Sequence, residues 1–129
     1  LSDKNVPVRA LGYVPDSELA QLYLDSFALL APSWHEGFGL PVVEAMSVGL
    51  PALVSAKASL PEIAGAAARS IAPEDPASWA AAMLALENDS ENYAMRAQAA
   101  LERGRFFSWD ATAVNVLDFV EQLPPTATT

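Results

Sequence analysis

Cysteine is absent from this chain of 129 residues, and histidine occurs once, as His35. Disulfide cross-links and thiolate metal sites are therefore excluded, a usage that fits a cytoplasmic setting. No second histidine exists to share a metal with His35, and no metal is expected. Basic residues are also scarce: seven Lys and Arg stand against sixteen Asp and Glu, a formal charge of −9. That balance argues against nonspecific nucleic-acid binding, which needs lysines and arginines to displace condensed counterions. It disfavours a phosphate-rich ligand as well, unless local dipoles or a basic segment elsewhere compensate. Long apolar runs are missing too. The run over residues 27–32 is strand-sized, and no run approaches the roughly 20 residues needed to cross a bilayer. Asp3 and Lys4 interrupt the N-terminus before any apolar region, so no secretory leader is read.

What is present is apolar: 52% of the residues are hydrophobic, which excludes an acidic disordered tail. The length allows one domain, able to bury roughly two-thirds of its unfolded surface. The chain opens at Leu1 and runs almost at once into an apolar stretch, the pattern of an excised piece. A single domain is expected over residues 1–123, with 124–129 (Pro-Pro-Thr-Ala-Thr-Thr) as a flexible tail that can bury almost nothing.

Strand-like and helix-like segments alternate. Residues 8–11, 27–31 and 52–54 are short apolar runs punctuated by Gly or Pro, and predict strands buried on both faces of a parallel sheet. Residues 69–71 are a weaker fourth. Between them, Leu19, Leu22 and Tyr23 fall at i, i+3, i+4 behind Asp16 or Ser17, either of which can cap a helix. Residues 41–48 predict a second helix with Pro41 in its first turn, where a missing N–H costs nothing. After residue 72 the strands stop. Asp75-Pro76 pairs a cap with a first-turn proline ahead of an apolar stripe of Trp79, Ala82, Met83 and Leu86. A helix over 90–103 follows, and Ser108 starts a last one with Trp109, Ala113, Val116, Leu117 and Val120 on one face. The order βαβαβ then helices predicts a doubly wound, Rossmann-like α/β layer structure. Three or four strands are few for such a domain, so a partial one is expected, lacking its N-terminal side.

The informative stretch runs from Ala31 to Met46, from the end of a buried strand through a glycine-containing turn into a helix start. In open α/β sheets the ligand crevice lies at the carboxyl ends of the strands. The N–H groups of Phe38, Gly39 and Leu40 precede Pro41 and would point out of the helix start, a ready anion site suited to phosphate. Gly37 and Gly39 allow a tight turn and close approach to a ligand. Glu36 in the turn and Glu44 on the first turn of the helix stand eight positions apart. Amides for phosphate and carboxylates for hydroxyls together suit a nucleotide-sugar, and make the negative net charge matter less.

Each feature taken singly also has a plainer reading. A first-turn glutamate is favourable for dipole reasons alone, which covers Glu44, and a Gly-x-Gly turn before a helix is a weak signal. His35 reads as a turn residue rather than a base. Trp34 and Phe38 read as core aromatics as readily as a stacking platform. The residues themselves reach an α/β domain with an anion site at the Glu36–Glu44 turn.

The pattern Pro32-Ser33-x-x-Glu36-Gly37-Phe38-Gly39-Leu40-Pro41-x-x-Glu44-Ala45-Met46 resembles the E-x7-E signature of retaining glycosyltransferases of the GT-B fold, family four (group 1). Leu11-Gly12-Tyr13-Val14-Pro15-Asp16 with Leu19 and Leu22-Tyr23 resembles the family's upstream segment. Gly49-Leu50-Pro51-Ala52-Leu53-Val54-Ser55, then Pro61-Glu62-Ile63, resembles the strand and loop downstream, and Phe107-Ser108-Trp109 the start of the last helix. The likeness spans about residues 6–121 in one order. It implies the C-terminal, donor-binding domain of such an enzyme. Glu36 would then contact the donor-sugar hydroxyls close to the anomeric carbon, as the catalytic residue. The amides of Gly37, Phe38, Gly39 and Leu40 would hold the sugar and its diphosphate, Glu44 the ribose hydroxyls, and the loop from Val14 to Asp16 would border the base. Transfer would retain anomeric configuration without a metal or other cofactor, the helix dipole and basic side chains stabilising the leaving diphosphate. Glu36 as nucleophile and Glu36 as stabiliser of an oxocarbenium-like transition state both fit.

Two departures bear on activity. The family places an Arg and a Lys on the diphosphate from an earlier segment, which nothing here matches, and the acceptor-binding N-terminal domain is absent. The expectation is an active full-length parent, an inactive fragment, and a glycan or lipid-linked acceptor reached through the missing half. Membrane association of the parent, common in relatives with lipid acceptors, would also lie there. A nucleotide-sugar epimerase on the same architecture is one alternative. A noncatalytic nucleotide-sugar-binding or scaffolding module is another, against which the intact Glu36 and Glu44 count. Nucleotide base, sugar and oligomeric state stay open; an apolar face left where missing strands should pack would favour self-association.

Overall fold

The computed structural model describes residues 8–124; of the stretch expected as a tail, all but Pro124 lies outside the described residues. Three strands, β1 (Leu29–Ala31), β2 (Ala52–Ser55) and β3 (Arg69–Ile71), form a parallel sheet in the order β1-β2-β3. Leu29 stands opposite Ala52, and Leu53 opposite Arg69. Helix α1 (Asp16–Asp25) precedes β1, α2 (Leu40–Ser47) joins β1 to β2, and α3 (Leu60–Ala64) with a short 3-10 turn joins β2 to β3. Helices α4 (Pro76–Asn88), α5 (Ser90–Gly104) and α6 (Trp109–Glu121) follow.

Helices cover both faces, so the sheet is doubly wound. Ala52 and Val54 face one side and pack with Val42 and Met46 of α2, Leu60 and Ile63 of α3 and Ala100 of α5. Leu53 and Ile71 face the other and pack with Trp79, Ala82 and Leu86 of α4. Every residue of β2 is buried, as a continuous apolar run predicts for the middle strand of a parallel sheet. Fully buried side chains such as Met46, Leu60 and Val54 each contribute about 1.5–3 kcal/mol relative to exposure. Asp75 caps α4 by accepting from the Ser78 N–H, and Ser108 caps α6 by accepting from the Ala111 N–H.

Several expectations need correction. Residues 8–11 form no strand, and Val8 and Leu11 are exposed. A strand exists through its ladder, and no neighbour among the described residues supplies one. The strand expected over 27–31 begins at Leu29, where pairing to β2 begins; Phe27 instead stacks on Tyr93 of α5 at 4.7 Å. Neither Asp16 nor Ser17 caps α1: Pro15 occupies that position and makes no side-chain cap bond. The stripe Leu19, Leu22, Tyr23 buries no residue fully. Met83 lies at the rim of its stripe, 38% exposed. The apolar face expected on α6 stays exposed among the described residues, and no residue of that helix is buried.

Candidate functional site

The chain leaves β1 at Ala31 and crosses the carboxyl edge of the sheet as a loop before α2 begins at Leu40. Gly39, the N-cap of α2, is buried with φ +95°. A β-carbon there would sit in the left-handed region and 2.5 Å from Cδ2 of Leu60, itself fully buried, so only glycine fits without strain. The Gly39 carbonyl accepts from the N–H groups of Val42 and Val43 at 2.9 and 3.4 Å. The N–H groups of Phe38, Gly39 and Leu40 meet no acceptor among the described residues. They are the orphan donors of a helix start, backed by its dipole.

Two serines hold the loop. Ser33 donates from Oγ to Oε1 of half-buried Glu36 at 2.8 Å, leaving Oε2 without a partner among the described residues. From the turn before α3, the Ser59 hydroxyl lies 3.2 Å from the Glu36 carbonyl and 3.1 Å from that of Phe38, and clamps both. Ala58, at φ +53°, presents Ser59 to the loop in a backbone conformation costing a non-glycine residue about 1–3 kcal/mol.

Glu44 lies one residue further into α2 than expected, just past its first turn. The helix starts at Leu40, so no acidic residue falls in the first turn, and the dipole account of Glu44 weakens accordingly. Its Oε2 accepts from the phenol of Tyr23, at 2.9 Å. Burial, then the Glu44 hydrogen bond and charge, push the Tyr23 phenol up to about 12.

The residues from Glu36 to Leu40 thus form one loop beside Glu44. Val14, half-buried, and Asp16, exposed at the start of α1, make no hydrogen bond to that loop among the described residues. The Tyr23–Glu44 bond joins their part of the chain to α2. Trp34 and Phe38 are 57% and 46% exposed, which removes them from the core; Phe38 meets Phe107 edge-on at 6.0 Å. His35 is exposed. Tyr23, Ser33 and Ser59 were not signalled as site residues by sequence. Ser33, three positions before Glu36 inside the motif, could have been; Tyr23 and Ser59 lie 21 to 23 residues from their partners, beyond any local pattern. Among the described residues no group of three or more His, Asp or Glu could hold a metal ion, and no helix is long and apolar enough to cross a membrane.

Residues 3–103 match the family described as glycosyl transferases group 1. O-antigen chain mannosyltransferase B of Escherichia coli is 41% identical over 104 residues, which are 80% of this chain and 27% of that protein. D-inositol 3-phosphate glycosyltransferase of Corynebacterium efficiens is 33% identical over 111 residues, 84% of this chain and 26% of that protein. The chain therefore spans about a quarter of the length of these curated relatives. Among solved structures, sucrose-phosphate synthase from Thermosynechococcus elongatus superposes with a TM-score of 0.79 at 26% identity, over 87% of this chain and 29% of that one. The family match takes in the whole sheet and the Glu36–Glu44 turn together, and this chain belongs to the glycosyl transferases group 1 family.

Proposed function

We propose that this chain is the donor-binding part of a retaining glycosyltransferase that moves a hexose from a nucleotide-sugar to a glycan or lipid-linked acceptor. The observation that carries the reading is the pairing, at the carboxyl edge of β1, of a helix start whose amides are unmet with two carboxylates. The amides of Phe38, Gly39 and Leu40 suit a diphosphate, and neutral dipoles can hold it despite a net charge of −9. Glu36, steadied by Ser33 and with Oε2 unpartnered, suits the donor-sugar hydroxyls next to the anomeric carbon. Glu44 suits the ribose, and the loop from Val14 to Asp16 the base. Mannosyl and inositol-phosphate glycosyl transfer in the names of its relatives support a sugar donor.

In the reaction, the bond from the anomeric carbon to the diphosphate oxygen breaks and its electron pair leaves on the diphosphate, stabilised by the amides at the α2 start. The acceptor hydroxyl oxygen bonds to the same carbon with retained configuration, and its proton passes to the departing diphosphate oxygen. The acceptor and further positive charge for the diphosphate come from outside these 129 residues, so the isolated chain does not turn over donor.

The test measures transfer by the longest natural form of the protein that contains this chain. Glu36→Gln lowers turnover at least about 100-fold, the scale of one lost transition-state contact, with donor binding kept. Glu44→Ala raises the donor KM at similar turnover. Unchanged turnover in Glu36→Gln refutes the catalytic assignment. A parent protein that binds donor but never transfers it is a noncatalytic module, and one that alters the sugar's configuration on the nucleotide is an epimerase.

A further inference from the structure

We propose that Tyr23 is a positioning residue, holding the Glu44 carboxylate for the ribose of the donor nucleotide and tying α1 to α2 as it does so. This rests on the donor site proposed above. Glu44 is exposed on the surface of α2, where an unrestrained carboxylate samples many rotamers. Freezing a long side chain costs conformational entropy, which the ligand meets unless the protein has met it beforehand. The Tyr23 O–H donates to Oε2 at 2.9 Å, a charge-assisted bond across 21 residues of chain. Among the described residues only Oε2 is engaged, and Oε1 keeps its lone pairs for an incoming hydroxyl.

The same bond has a second consequence. Helix α1 buries no residue and has no side-chain cap, so apolar packing places it weakly. Its first residues continue directly from the loop of Val14 to Asp16, and the phenol ties this helix to α2. One hydroxyl therefore sets the ribose carboxylate and the loop beside the base relative to each other. Burial and the neighbouring carboxylate keep the phenol protonated through neutral and mildly alkaline pH, so the donor is always present. Phenylalanine would keep the ring and lose only this hydrogen.

The experiment titrates UDP, GDP and ADP, then the 2′-deoxy form of whichever binds, into the longest natural form of the protein. Parent, Tyr23→Phe, Glu44→Ala and the double variant are compared, with melting temperatures read alongside. Tyr23→Phe is expected to weaken the ribonucleotide about three- to tenfold, the scale of one hydrogen bond, and to reduce discrimination against the deoxy form by a similar factor. Turnover at saturating donor stays near that of the parent. In the Glu44→Ala background Tyr23→Phe has no further effect, because the partner is gone. An equal loss in both backgrounds overturns the proposal, as does Tyr23→Phe discriminating ribose as well as the parent does. A variant that melts lower yet keeps that discrimination makes Tyr23 a structural tie only. If the parent binds none of the three nucleotides, or Glu44→Ala binds as tightly as the parent, the donor site itself is refuted.

Discussion

Gly104 ends α5 where that helix lies against α2, and replacing it with alanine tests how closely the two backbones meet. A β-carbon on Gly104 would stand 2.6 Å from the Ser47 nitrogen and 2.7 Å from both the Met46 carbonyl carbon and the Ser47 Cα. All three are backbone atoms, so no side-chain rotation relieves the clash. Reaching an ordinary carbon–carbon contact of about 3.5 Å requires the helices to part by roughly 0.8 Å. A gap of that size forfeits a quarter to a half of the contact energy around Met46 and Ala100, both fully buried. Overpacking of this kind costs about 1–3 kcal/mol. Opposing it is a helix-propensity gain of at most about 1 kcal/mol for alanine over glycine, smaller at the last residue of a helix. With rigid atoms on both sides the packing loss wins, and a net loss of about 1–2 kcal/mol is expected. The assay is urea unfolding with a thermal melt, where that loss lowers Tm by roughly 3–12 °C. Ala94→Gly, exposed in the same helix, calibrates propensity alone at about 1 kcal/mol. A Gly104→Ala protein as stable as the parent, or more so, refutes the reasoning.

Ser59→Ala removes the clamp on the Glu36 and Phe38 carbonyls; transfer by the longest natural form should fall roughly tenfold, about one hydrogen bond, and unchanged turnover would discount the clamp. Asp75 accepts from the Ser78 hydroxyl and N–H, and the hydroxyl bond foremost holds its carboxyl below the usual aspartate value. The folded value being the lower one, its stabilisation is present above the ordinary aspartate pKa, near about 4, and is lost as pH falls through the folded value. The stability gap between parent and Asp75→Ala in urea titrations should therefore be constant at neutral pH and close in acid. Helix α6 buries nothing, so a chain ending at Ser108 should unfold with a free energy within about 0.5 kcal/mol of the parent; a larger loss would mean α6 is held by packing.

Sequence reading succeeded where a residue acts on its own neighbours. Asp75 before Pro76, and Ser108 before Trp109, cap helices with bonds spanning three residues, and both stand as expected. The run Arg69–Ile71 is a strand to the residue. It failed where a partner was needed from far along the chain. Residues 8–11 have the apolar composition of a strand and no ladder to join. Pro15 takes the cap position of α1 ahead of two better cap formers, Asp16 and Ser17. At the site, the turn before α2 was legible from the motif, but of its two glycines, read alike, only Gly39 takes a positive φ. The bonds that steady Glu44 and part of the loop come from Tyr23, read only as part of a helix stripe, and from Ser59, which no pattern singled out.

The unmet amides at the α2 start have a kinetic consequence for anionic ligands. Such dipoles act within about one helical turn, so they cannot draw a ligand in from a distance. What acts at a distance is the field of a chain carrying −9, which repels a diphosphate. For a diphosphate held as proposed, encounter would be slowed while retention would not. Added salt, which shortens the Debye length to about 8 Å at physiological strength, screens the repulsion and leaves the short amide contacts nearly intact. If the proposed donor site holds a diphosphate, its capture by this chain would quicken as ionic strength rises, the reverse of the behaviour of a basic phosphate-binding cleft.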